Sequence, residues 1–155
     1  MNITIREPTR ADLEGLAPRL HPDDVAELEA TGWESPLVAL MYSHQTCREV
    51  YVACWDGKVQ AAFGVADYPH DIDFGTPWFL STGPRGHIRR EFLKLSAEYI
   101  KAWAPMYRAM FNLVDARYIR AQRWLMHLGF KPYKLHELNG NPFIEFGILN
   151  PCAPL

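Results

Sequence analysis

The chain has 155 residues, 48% hydrophobic and 13% aromatic, enough for one domain around a substantial core and too apolar for a disordered segment. A net charge of -2 gives no field that would recruit nucleic acid or an acidic membrane. The three cysteines are an odd number for a disulfide framework and Cys47 and Cys54 lack a CxxC spacing, so reduced thiols in a cytosolic-type environment are expected; Met1 to Thr9 has no apolar signal-peptide core, and no run approaches the roughly 20 apolar residues of a membrane span.

Ile3 and Ile5 alternate with polar residues over Asn2 to Glu7, the pattern of a short half-buried strand that Pro8 ends. Thr9 with Asp12 is a variant capping box for a helix carrying Leu13, Leu16 and Leu20 on one stripe. His21-Pro22-Asp23-Asp24 restarts a helix, with Val25 and Leu28 apolar and Gly32 as its stop. A third helix begins at Ser35, with Leu37, Leu40 and Met41 on one side. The period then changes: Glu49 to Trp55 and Lys58 to Ala66 are two antiparallel strands about an Asp56-Gly57 turn. A loop over Asp67 to Gly75 leads to a strand over Thr76 to Thr82, and Gly83-Pro84-Arg85-Gly86 precedes a long helix from about His87 to Trp103 with Ile88, Phe92, Leu95, Tyr99 and Trp103 on one face.

Tyr107 to Leu113 is the next strand, with a turn at Asp115. The following helix buries Tyr118, Ala121, Leu125 and Leu128, exposes Arg117, Arg120 and Arg123, and stops at Gly129 in a left-handed C-cap. Phe130 to Leu138 and Pro142 to Leu149 are two strands about an Asn139-Gly140-Asn141 turn, and Asn150 to Leu155 is expected to be a loose tail. The strands before and after the long helix must be parallel, joined by a right-handed crossover.

This order, strand, two or three helices, three strands, helix, strand, helix, two strands, resembles the GNAT fold of the N-acetyltransferase superfamily. Ala121, Trp124-Leu125 and Leu128-Gly129-Phe130 match that fold's pattern at its second long helix. The implied fold is a single α/β GNAT-like domain with a central mixed, mostly antiparallel sheet of about seven strands flanked by helices. Pro77-Trp78-Phe79-Leu80-Ser81-Thr82, Asn112 to Arg117, Arg123-Trp124-Leu125 and Pro142-Phe143-Ile144-Glu145-Phe146 further resemble the GNAT-like internal virion protein A family of short-tailed bacteriophages. That resemblance implies a phage protein made in the host cytoplasm, with a host or phage protein as its partner in virion formation or host takeover.

The GNAT resemblance also implies acetyl-CoA as cofactor, held by Leu80, Ser81, Thr82, Gly83, Arg85, Gly86, His87 and Ile88, where strand backbone would receive the pantetheine arm and a helix N-terminus the pyrophosphate. His87 and Arg89 stand where the superfamily carries small residues. Leu125 stands where many of its enzymes carry a tyrosine acid, and Tyr118 where they often carry an asparagine. Among Asp67, His70, Asp71 and Asp73, the candidates for a general base are His70 and Asp67. No second histidine has a helical ligand spacing, so no metal is expected. Two readings follow: a catalytically degenerate acetyltransferase-like protein that acts through protein binding, and an active acetyl-CoA-dependent N-acetyltransferase.

Overall fold

Capping and left-handed residues set most of the element boundaries. The computed structural model, which describes Asn2 to Asn150, opens with β1 (Thr4–Arg6) and α1 (Arg10–Leu16). Thr9 accepts from the Asp12 N–H while the Asp12 carboxylate accepts from the Thr9 N–H, the reciprocal box expected of this pair. A 3-10 turn over Ala17–Arg19 leads to α2 (Pro22–Ala30), capped by the His21 ring, and α3 (Pro36–Thr46), capped by Ser35. The strands β2 (Glu49–Trp55) and β3 (Lys58–Asp67) meet at Asp56 and Gly57, with φ of 55° and 70°. Both residues are left-handed, as the two-residue turn requires.

The chain continues through β4 (Phe74–Ser81), α4 (Gly86–Trp103), a 3-10 turn over Ala104–Met106, β5 (Ala109–Asp115), α5 (Ile119–His127), β6 (Lys131–Leu138) and β7 (Asn141–Leu149). The sheet has seven strands in the order β1-β2-β3-β4-β5-β7-β6. β4 and β5 pair in parallel, Phe74 with Ala109 and Gly75 with Met110. The β1–β2, β2–β3, β5–β7 and β6–β7 pairs are antiparallel. The expected α/β architecture is therefore observed, including the crossover through the long helix.

Several boundaries differ from expectation for local reasons. β1 is confined to Thr4–Arg6, and β4 begins at Phe74 rather than Thr76 because Phe74 and Gly75 pair with β5. β5 begins at Ala109 rather than Tyr107, which closes the 3-10 turn. In α3 the buried residues are Ala39 and Leu40, while Leu37 is exposed. α5 begins at Ile119, so Tyr118 is its N-cap and Arg117 precedes it; the exposed arginines do not share one helix face. Cys47 and Cys54 carry thiols; the expected tail from Pro151 onward, with Cys152, lies outside the described residues.

The chain forms two compact units, Met1–Ala66 with Trp78–Phe92, and Asp67–Pro77 with Leu93–Leu155. In the first, Leu13, Leu16, Leu20, Leu40, Val52 and Ala62 form a core against which Val25, Leu28, Met41, Trp78 and Leu80 pack half-buried. Strand alternation sends Phe63 and Phe79 to the opposite face, where they stack at 5.6 Å and Phe92 meets both edge-on. The second unit buries Met110, Val114, Phe130, Phe143 and Phe146. There the Trp124 indole donates to Ser96 Oγ at 3.3 Å and joins α5 to α4.

Candidate functional site

At the C-terminal end of β4, alternation of the backbone decides which groups face which way. The Thr82 N–H donates to the Gln60 carbonyl on the β3 side at 2.9 Å. Ser81 therefore turns its N–H and C=O to the other edge. Both are engaged there: the N–H donates to Asp24 Oδ2 at 2.9 Å, and the carbonyl accepts from the His21 N–H at 2.8 Å. The start of α2 is thus tied to the end of β4. The His21 ring accepts from the Asp23 N–H through Nδ1, which fixes the same turn.

Beyond Ser81 the chain runs into α4 through two left-handed glycines, Gly83 at φ 91° and Gly86 at φ 55°. The Gly83 N–H donates to Ser81 Oγ. Space around Gly86 is open, with no neighbour within 4 Å of where a Cβ would stand. The Arg89 N–H bonds the Arg85 carbonyl, so the N–H groups of Gly86, His87 and Ile88 come before the helical ladder. The side chains of Arg85, His87 and Arg89 are exposed around this end. Donors, dipole and cations together suit an anionic phosphate group. The structure thus brings together Leu80, Ser81, Thr82, Gly83, Arg85, Gly86, His87 and Ile88 as one continuous segment.

The other candidates are separated by their hydrogen bonds. Asp67 accepts from the buried Tyr107 hydroxyl at 2.7 Å. Asp71 accepts from the Asp73 N–H and closes the loop on itself. His70 is exposed, its ring edge-on to Tyr68 at 5.3 Å. Gly75 is required beside them, because a Cβ there would lie 2.6 Å from the Tyr107 ring. Of the two base candidates, His70 has an exposed ring, while Asp67 has a structural partner. Among the described residues, no group of three or more His, Cys, Asp or Glu side chains is placed to hold a metal ion, and no helix is long and apolar enough to cross a membrane.

At the end of β5 the Asp115 side chain is fully buried, and Arg117 folds back on it through Nε at 2.9 Å and Nη2 at 2.6 Å. The Arg117 hydrogen bonds hold the Asp115 carboxyl below the usual carboxylate range against the opposing effect of burial. α5 ends with Gly129 at φ 99°, where the Phe130 N–H reaches the Leu125 carbonyl and the Gly129 N–H reaches that of Met126. These two bonds are the Schellman arrangement, and Gly129 is the left-handed C-cap expected there. Leu125 is half-buried.

Sequence reasoning missed Asp24 and His21 as partners of β4. Both were legible as helix-start residues, but nothing local marks a contact across 57 positions.

No known family's sequence model matches the chain, and no curated protein matches it in sequence. Solved structures do match. The aminoglycoside acetyltransferase AAC(6')-Ib in complex with coenzyme A superposes with a TM-score of 0.70 at 16% identity, over 96% of this chain and 95% of that one. The Salmonella typhimurium protein yncA with its cofactor acetyl-CoA gives 0.68 at 12%, over 100% and 98%. A GNAT-family acetyltransferase from Streptococcus pneumoniae gives 0.63 at 14%, over 96% and 99%. At these identities the shared property is the GNAT fold.

Proposed function

We propose that this GNAT-fold protein is an acetyl-CoA-dependent N-acetyltransferase. The observation that carries the reading is the Gly83 to Ile88 segment, where two left-handed glycines deliver the chain to an 18-residue helix ringed by exposed Arg85, His87 and Arg89. The His87 and Arg89 side chains stand out from this end, and the space at Gly86 is open, so the segment fits a phosphate-bearing cofactor. Arg85, His87 and Arg89 would line its pyrophosphate, and its arm would pass Leu80, Ser81 and Thr82 without the Ser81 backbone groups, which Asp24 and His21 already occupy. Acetyl-CoA, when bound, supplies an acetyl carbonyl activated as a thioester.

Amide formation joins the acceptor nitrogen to that carbonyl carbon and breaks the carbon–sulfur bond. The nitrogen must lose a proton and the departing sulfur must gain one. Leu125 has none to give, so the proton on sulfur comes from solvent or from the acceptor amine itself. Exposed His70 is the base candidate, since Asp67 is held by Tyr107. Calorimetry against acetyl-CoA tests the reading. Saturable binding is expected, weakened at least tenfold in Arg85→Ala/Arg89→Ala and by raised salt. No binding at millimolar cofactor would overturn it.

Leu125 favours a second reading, in which the chain keeps the fold, lacks turnover and acts through a protein partner in phage assembly or host takeover, as its resemblance to the internal virion protein A family implies. Recovery of one stoichiometric partner from infected cells, together with a phenotype unaffected by loss of cofactor binding, supports that reading. A phenotype that needs acetyl transfer removes it.

A further inference from the structure

α2 ends as α5 does, in a Schellman arrangement: the Gly32 N–H reaches the Glu29 carbonyl and the Trp33 N–H that of Leu28, with Gly32 at φ 91°. Beyond that turn the Trp33 ring lies 5.6 Å from the Tyr42 ring on α3. α3 has no Asp, Glu, Lys or Arg, although it lies at the surface. Its inward side is Ala39 and Leu40, both buried, while Leu37, Val38 and Tyr42 are 36%, 41% and 56% exposed. Val38 and Tyr42 stand one turn apart and are neighbours on the outer face, and half-buried Trp33 extends that face toward the end of α2. Single exposed apolar side chains are ordinary, but an adjoining set of them on an uncharged helix marks an interaction surface. The charge around it has one sign. Between Leu20 and Cys47 the chain has no Lys or Arg but carries Asp23, Asp24, Glu27, Glu29 and Glu34. Glu34 follows Trp33 in the chain, Glu29 lies in the last turn of α2 before it, and both are exposed. The net charge is only -2, so the balance outside this stretch is positive and the acidity is gathered here.

We propose that the outer face of α3, with Trp33, docks a cationic amphipathic segment of another protein. The apolar side chains of that segment lie on Leu37, Val38, Tyr42 and Trp33, and its Lys or Arg side chains reach Glu29 and Glu34. Burial of the two apolar faces supplies the affinity, and the charges supply the choice of partner. The acidic rim repels an acidic peptide or an anionic membrane, and it opposes a second copy of this chain, which would bring the same charge. None of these residues belongs to the Leu80 to Ile88 segment or to the His70 loop, so the docking stands whether or not the chain transfers acetyl groups.

The test titrates the full chain, without cofactor, with a short peptide of leucine and lysine patterned as an amphipathic helix. NMR follows the Val38 methyl groups and the Tyr42 and Trp33 rings. A peptide with glutamate in place of each lysine and an oligolysine of equal charge serve as comparisons. The leucine–lysine peptide is expected to shift the three reporters together and saturably. Val38→Ser/Tyr42→Ser, which alters exposed positions and should leave the circular dichroism spectrum unchanged, should weaken binding about fivefold or more. Glu29→Gln/Glu34→Gln should weaken it about threefold and reduce its dependence on salt. Unmoved reporters, or equal affinity for the glutamate peptide or for oligolysine, would overturn the proposal. So would a dimer in sedimentation equilibrium, or adsorption to phosphatidylcholine vesicles, that is lost in Val38→Ser/Tyr42→Ser, since either would give this face a different occupant.

Discussion

Asp115 shows how one carboxylate can carry a disproportionate share of a strand end. Its side chain is fully buried, yet Arg117, whose side chain is about half exposed, supplies both its Nε and Nη2 donors to it. Hydrogen bonding to Arg117 lowers the Asp115 carboxyl, and hydrogen bonding to Arg6 lowers that of Asp12. A carboxyl lowered in the folded state contributes stability that is fully present above the unfolded value of about 3.9. That contribution is lost as pH falls through the lower folded values. Urea unfolding from pH 5 to pH 3 should therefore show a falling midpoint, and Asp115→Asn should flatten that slope. At pH 7 the same change is expected to cost about 1–2 kcal/mol through loss of the charged acceptor. The turn at Asp115 was legible in the sequence; the ion pair was not, because an Asp-x-Arg spacing has no fixed geometry until a strand buries the acid.

Helix ends were the most legible elements, and α5 illustrates both the strength and the limit of that legibility. Leu128-Gly129-Phe130 announced its C-cap, and both Schellman hydrogen bonds are present. Gly129→Ala places a Cβ in a left-handed residue at φ 99° and 3.3 Å from Ile148 Cδ1. The expected destabilisation is about 1–2 kcal/mol by thermal or chemical unfolding, with the fold retained. The other end of α5 was misplaced because its apolar stripe continues backward through Tyr118, whereas the Asp115–Arg117 turn holds the preceding residues out of the helix. Periodicity reports which side chains face inward. It does not report where a tertiary contact stops the helix from starting.

Across the whole chain, the order of elements was recoverable because each turn carried its own local chemistry: Asp56-Gly57, Asn139-Gly140, Thr9 with Asp12, and Ser35. Of the proposed site, the sequence marks the continuous segment from Leu80 to Ile88, through its glycines and cations ahead of a long helix. The Asp24 contact with Ser81 could not be read from the sequence, since Asp24 reads there as a helix-dipole residue. The same tie that hid Asp24 makes the Ser81 amide a reporter of long-range assembly. Its hydrogen ends on a side chain 57 residues earlier, so deuterium uptake there counts separations of α2 from β4 and not fraying of neighbouring strands. In Asp24→Ala that single amide should exchange at least tenfold faster while Ala62 and Phe63 keep their protection, which mass spectrometry or NMR would resolve. A chain caught midway through folding should show the opposite order, with the hairpin amides slowed before Ser81, because the short Asp56-Gly57 loop closes more readily than a segment of that length.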